Sequence, residues 1–354
     1  MLHTGEMHLV QNTNINFGLD LGVTSESRKC IPPYYFIVTI SQCLESMDSA
    51  CFGIEIEAIV EPHTLRAPLN ALDYYERLTR SLRKRGQGAK VDSLRLYKNA
   101  YESFDKWLIT RDGSLDGHGD NQVSFEAVSP IFSTTERWVD DIDAFWNAMS
   151  AVFHQPIRSL KCGSHIHISP GPPSYSGARR RFSLGQLKTI AFGIVVHEPL
   201  ILQILPSWRR NNSYCRPNTA SSSRLSGSRS LKRQAIASAR SPDQLIEIMQ
   251  ADRKVLWNFD NTLPTKSGTI EFRGGRGLRG RNRTGWWIAF AVSFIHFVLM
   301  EDDFGMQSSY SEGRLPSIEC FYASLRTAAG EIGMGSHLPS DHYILSETRR
   351  QTGS

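Results

Sequence analysis

Phe52-Gly53-Ile54-Glu55-Ile56-Glu57-Ala58 alternates apolar and acidic residues over a window the length of one strand. Strand parity places Ile54, Ile56 and Ala58 on one face and Glu55 and Glu57 on the other. Three further windows repeat the pattern. Glu126 stands opposite Phe125 and Ala127; His165, His167 and Ser169 stand opposite Ile166 and Ile168; Glu271 and Arg273 stand opposite Ile270 and Phe272. An ordinary half-exposed strand fills its polar positions with Thr, Lys or Ser, whereas these carry Glu, His and Arg. Carboxylates gathered on one sheet face repel unless cations lie among them. Hard divalent ions such as Mg²⁺ or Mn²⁺, with carboxylate and imidazole ligands, supply that charge. The pattern therefore predicts a multi-metal site on the polar, concave face of a curved and mainly antiparallel sheet, with helices packed on its apolar face: an α+β fold.

The rest of the chain is compatible with this. Its 354 residues and 40% hydrophobic content provide for a large core and exclude a disordered chain, a fibrous one or a small disulfide scaffold. A net charge of +5 suits an enzyme of anionic substrates as readily as a nucleic-acid binder. The six cysteines form no CxxC pair, and the first thirty residues carry Glu6, Asp20 and Glu26 with no apolar run, so an intracellular, reduced and cytoplasmic protein is expected. The apolar run from Trp286 to Met300 is interrupted by Ser293 and His296 and falls short of the roughly 20 residues a bilayer requires, so it reads as a buried helix and no membrane partner is expected.

Helical spacing recurs in four places: Leu69, Leu72, Tyr75, Leu78 and Leu82, with Gly86 as a stop; Trp138 to Val152, with Thr134 or Thr135 as cap; 182–205; and 282–300. Residues 1–49 read as an extension with one strand near Tyr34–Ile40, residues 50–305 as the catalytic domain, and residues 306–354 as a helical extension packed on it. Within the domain, residues 206–241 are rich in Ser, Arg and Asn and read as a mobile basic loop with a short helix near Leu231–Ala239. Arginine forks match phosphate oxygens, so such a loop could equally cover a phosphate-bearing ligand.

Together the segments FGIEIE (52–57), WLITRDGSLDG (107–117), SFEAVSP (124–130), CGSHIHIS (162–169) and TIEFR (269–273) resemble, in order and spacing, the amidoligase group of the glutamine synthetase-like and glutamate-cysteine ligase-like carboxylate-amine ligases. The resemblance implies a catalytic domain like that of glutamine synthetase and ATP-dependent amide formation through an acyl phosphate. It also implies a small-molecule or peptide carboxylate and an amine as substrates. Carried over by motif, Glu55, His165 and Glu271 hold one metal beside the nucleotide phosphates, and Glu57 with Glu126 holds another nearer the substrate. Arg273 faces the transferred phosphoryl group, and with Glu57 it is the catalytic candidate. His167, Arg210 and Arg276 are the candidates for nucleotide or phosphate contact. After Arg273 the chain departs from the small-Thr-Leu-Asp turn of many relatives and reads Gly274-Gly-Arg-Gly-Leu-Arg-Gly280.

Other readings compete. Gly275-x-Gly277-x-x-Gly280 between a strand and a helix has the form of a dinucleotide fingerprint, although the strand before it carries Glu271 and Arg273 where a buried parallel strand should be apolar. The His165-x-His167 pair could belong to a cupin-like single-metal enzyme, which leaves Glu55 and Glu57 unexplained. The arginines of 209–283 could serve a non-catalytic nucleotide-binding or RNA-binding protein, but aromatics are not interleaved with them, so nucleic acid is not the expected partner. Oligomeric state and the role of residues 1–49 stay open.

Overall fold

Cys51–Val60, the strand β1, is paired along both edges, and this decides what the site is made of. The computed structural model describes residues 49–65, 70–91, 104–115, 119–171, 180–210, 212–301 and 315–346; the strand expected at Tyr34–Ile40 lies outside them. The remaining strands are β2 (Ala89–Val91), β3 (Trp107–Thr110), β4 (Val123–Val128), β5 (Phe132–Ser133), β6 (Gly163–Ser169), β7 (Trp257–Asn258) and β8 (Ile270–Arg276). They form one mixed sheet in the order β2-β3-β4-β1-β6-β8-β7, with β5 paired to the start of β1, and every pairing is antiparallel except β2 with β3.

Register turns the alternation into two chemically distinct faces. Ile54 lies opposite Ile166, Ile166 opposite Phe272, Ile56 opposite Ala127 and Ala58 opposite Phe125, all buried. Helices cover this apolar face. Among the described residues the helices are α1 (Ala71–Arg83), α2 (Trp138–Ser150), α3 (Leu184–Ile204), α4 (Ser207–Arg210), α5 (Asn218–Ser221), α6 (Arg229–Ser238), α7 (Pro242–Met249), α8 (Arg281–Met300), α9 (Ile318–Glu331) and α10 (Tyr343–Ser346), of which α1, α2 and α8 set aromatic side chains against it. Phe272 sits 5.9 Å from Trp287 and 5.6 Å from Phe290 of α8, and Trp107 stacks on Phe145 of α2 at 4.4 Å. Phe294 of α8 packs on both Trp257 of β7 (5.1 Å) and Phe321 of α9, and Phe297 also contacts Phe321.

Three expectations are amended. The second helix starts at Trp138 and not at Thr134, because Thr134 is held by β1: its N–H donates to Ala50 O (2.9 Å) and its hydroxyl accepts from Ala50 N–H (3.1 Å). Helix α8 begins at Arg281, so it and α3 are both long and apolar enough to cross a membrane by length and composition; both are largely buried among the other elements. Residues 206–241, expected as a loop with one short helix, carry α4, α5 and α6 with Leu225 and Ile236 in the core. Two serines of this segment are helix caps, Ser228 accepting from Leu231 N–H and Ser241 from Gln244 N–H. Asn218 anchors the segment by donating to the carbonyls of Met249 (3.2 Å) and Trp257 (2.8 Å).

Gly274 and Gly275 lie within β8, so the first glycine of the fingerprint is in a strand and not in a phosphate-binding turn. Both neighbours of β8 are antiparallel, so it belongs to no parallel dinucleotide unit. Between the pairs Ile166–Phe272 and Ser164–Gly275, β8 fits one more residue than β6, a bulge of the kind that re-aims side chains beside active sites. A Cβ on Gly275 would lie 2.0 Å from Ser164 Oγ and 2.9 Å from Ser164 O. Gly275→Ala is therefore expected to lower stability by about 2–3 kcal/mol, since the serine can turn away but its carbonyl cannot. Urea denaturation within about 0.5 kcal/mol of wild type would show that the bulge opens freely.

Candidate functional site

On the polar face, register places Glu55 opposite His165, Glu57 opposite Glu126 and His167 opposite Glu271. Four strands thus deliver four carboxylates and two imidazoles to one patch. His165 Nδ1 lies 2.7 Å from Glu55 Oε2 and 3.5 Å from Glu271 Oε1, and its Nε2 lies 3.5 Å from Glu57 Oε1. His167 Nε2 lies 3.0 Å from the other oxygen of Glu55, and its Nδ1 lies 3.2 Å from Thr269 Oγ1. Glu57 accepts the N–H of Gly163 at 2.5 Å. Glu271 accepts from Arg273 Nη1 on one oxygen and from Asn258 Nδ2 (2.7 Å) on the other.

Burial and mutual charge set the protonation of these groups. Burial opposes the charge on Glu55, yet His167 and hydrogen bonds from both histidines hold its carboxyl well below the usual range. Glu271 is likewise lowered, with burial outweighed by His167 and Arg273. Burial raises Glu57. Glu126 is pushed well above the carboxylate range by burial and by Glu55, Glu57 and Asp112, and it shares a hydrogen bond with Glu55. For His167 burial is overcome by the Glu55 carboxylate, and the imidazole is pushed up to about 9.

Two sets of side chains, Glu55/Glu126/His165 and Glu55/His167/Glu271, each bring three ligand atoms within 4.8 Å of one another. The donors are oxygen-rich with imidazole, the chemistry of a hard divalent ion. The carboxylate crowding that, with burial, raises Glu126 is repulsion such an ion would relieve, so the residues fit divalent cations. Glu55 is common to both sets. The motif-based allotment grouped His165 with Glu55 and Glu271, whereas here His167 also joins that pair and His165 also joins Glu55 and Glu126.

A cavity of about 310 Å³ lies over this patch, lined by all six groups together with Arg273. Exposed Lys161, Arg253, Lys254 and Lys266 ring it, a cationic rim above an acidic floor. Asp112 also lines it; it lies two residues beyond Thr110, which pairs with Glu126, so strand parity in the 107–117 motif was the signal that could have found it.

The arginines fall differently from the sequence assignment. Arg210 turns away and donates to the carbonyls of Leu205 and Gln203 (both 3.1 Å) at the end of α3, so it is a helix cap and does not line the cavity. Its neighbour Arg209 lines the cavity; it is 2% exposed and donates to Arg273 O at 2.6 Å. Gly163 makes room for it, since a Cβ there would stand 3.1 Å from Arg209 Nη2. Arg276, which the bulge sets opposite Gly163, is buried with its guanidinium 5.3 Å from the centre of the Trp208 ring and also lies outside the cavity lining. Cys162 is buried beside Ile59 and Leu115 and its thiol is pushed up to about 12 by burial, as befits a structural thiol and not a nucleophile.

No curated protein matches the chain. Among solved structures it is similar to a bifunctional glutathione synthetase from Pasteurella multocida, with a TM-score of 0.40 and 11% identity, covering 85% of this chain and 46% of that one, so it spans less than half of that protein's length. The profile of a family described as "Putative amidoligase enzyme" matches residues 48–295, a segment that takes in every carboxylate, both histidines and the arginine of the polar face. On that match the chain belongs to the amidoligase family.

Proposed function

We propose that the protein is an ATP- and Mg²⁺-dependent carboxylate-amine ligase that forms an amide or isopeptide bond through an acyl phosphate, with residues 50–305 as the catalytic unit. The observation that carries this reading is the convergence of Glu55, Glu57, Glu126, Glu271, His165 and His167 from four adjacent strands beneath a cation-rimmed cavity. The reaction has two steps. A substrate carboxylate oxygen attacks the γ-phosphorus while the bond to the β-phosphate oxygen breaks and ADP leaves; an amine nitrogen then attacks the acyl carbon, the C–O bond to phosphate breaks, and the amine releases a proton.

Glu55, Glu271, Glu57 and Glu126, with the histidines, would hold the divalent ions. Those ions supply neutralisation of charge on the phosphate oxygens. Arg273 is set to face the transferred phosphoryl group: Glu271 holds one Nη and Tyr214 O receives Nε–H (3.3 Å), which fixes the plane of the guanidinium. Arg209, through the carbonyl of Arg273, holds that segment of β8 against β6. The rim lysines and Arg253 are suited to the outer oxygens of an anionic ligand, and phosphoryl transfer asks for such positioning more than for acid-base groups.

Calorimetric titration with a non-hydrolysable ATP analogue tests the reading without knowledge of the substrate. Micromolar binding that requires Mg²⁺ and vanishes on chelation is expected. No heat of binding in either condition, from protein shown to be folded, would reject a nucleotide-metal site.

A further inference from the structure

Glu271 is oriented by a buried chain of amides that starts at the backbone outside the cavity. Phe259 N–H donates to Gln250 Oε1 at 2.8 Å. A backbone N–H can only donate, so this oxygen is settled and Gln250 must present its NH₂ to the other side. There Nε2 donates to Asn258 Oδ1 (2.7 Å) and to Asp260 Oδ1 (3.0 Å). Asp260 N–H also donates to Asn258 Oδ1 at 3.0 Å, so a second backbone group independently fixes the same orientation. Asn258 is left with its NH₂ toward Glu271 Oε2, at 2.7 Å. Gln250 is 4% exposed and Asn258 2%, so these bonds lie in buried surroundings where they are strengthened.

The polarity of the whole relay is thereby dictated from its backbone end, and it can terminate only on an acceptor. We infer that Gln250 and Asn258 are positioning residues which hold one oxygen of Glu271 and so aim the other at Arg273, His165 and the cavity. Gln250 itself does not line the cavity, and its side chain hydrogen-bonds to Phe259, Asn258 and Asp260 and not to Glu271. The inference rests on the metal-dependent reading of the site, because the benefit of a fixed carboxylate is the affinity and geometry of the ion it binds.

Gln250→Glu tests it with almost no change of shape. One glutamate oxygen still accepts from Phe259 N–H, but the other faces Asn258 Oδ1 and Asp260 Oδ1, which are acceptors. Unflipped, Asn258 keeps its bond to Glu271 but its oxygen now faces a carboxylate in place of a donor; flipped, its NH₂ meets Asp260 N–H and its oxygen meets Glu271, so in the first case the bond to Glu271 is no longer braced and in the second it is lost. Mn²⁺ binding to the full chain in the presence of the ATP analogue, read from the free-ion electron paramagnetic resonance signal, should weaken about ten- to a hundredfold in Gln250→Glu, with the far-ultraviolet circular dichroism of wild type. Asn258→Ser, which only shortens a side chain at the cavity wall, should weaken it similarly and serves if Gln250→Glu does not fold. Wild-type Mn²⁺ affinity in either folded variant overturns the positioning role and leaves a merely structural one. Absence of Mn²⁺ binding in the wild type overturns the metal-dependent reading itself.

Discussion

Glu271→Gln is expected to abolish metal-dependent nucleotide binding and to cut ADP formation by about a thousandfold or more, with the fold retained. The carboxylate is the point where three strands meet chemically: Asn258 of β7 donates to one oxygen, Arg273 of β8 donates to the other, and His165 of β6 lies 3.5 Å away. Both Asn258 and Arg273 come to it as donors. A glutamine offers one acceptor and one donor, so it can satisfy only one of them, and its NH₂ must confront the other. It also removes one of the two negative charges of the set Glu55/His167/Glu271. Shape and volume are unchanged, so the apolar contacts of Ile270 and Phe272 on the opposite face survive and the thermal midpoint should move by only a few degrees. Turnover within about tenfold of wild type would remove Glu271 from the metal assignment.

Arg273→Lys is expected to leave nucleotide affinity within a few-fold of wild type and to slow acyl-phosphate formation by about a thousandfold. The guanidinium makes two contacts at once, Nη1 to Glu271 and Nε to Tyr214 O, and these fix its plane while it faces the cavity. A lysine ammonium carries one nitrogen on a flexible stem. It can neutralise Glu271 but cannot also hold the Tyr214 carbonyl and present a planar fork to phosphoryl oxygens. Burial opposes the charge on Arg273, while Glu271, Glu55 and Glu57 raise its affinity for the proton, so the arginine stays charged in a site where charge is most effective. The step is read by single-turnover rapid quench into hydroxylamine, which traps the acyl phosphate as a hydroxamate. An unchanged rate of trapping would mean that Arg273 serves only to brace Glu271.

Much of the site was legible because its residues lie on strands, where side-chain direction has a period of two and can be counted from local sequence. Glu55 with Glu57, Glu126, His165 with His167, and Glu271 with Arg273 all fall on one face for that reason, and the same parity extends to Asp112. Helix termini were less legible. Thr134 satisfies any local rule for a cap, but the donor and acceptor of Ala50, distant in sequence, compete for it and win.

The sequence by itself thus determined which residue types face the same side of each strand, since that depends only on the pleat, and hence that one face is rich in carboxylates. Tertiary structure alone decided the matters that depend on distant segments meeting. Whether Arg209 or Arg210 enters the cavity depends on how the turn after α3 meets β8 and on the space left by Gly163. The glycines after Arg273 acquire their meaning from the register of β6 across the bulge. The relay from Phe259 N–H through Gln250 and Asn258 to Glu271 exists only because the end of α7 folds against β7, and hydrogen-bond direction passes along contacts that no sequence period encodes.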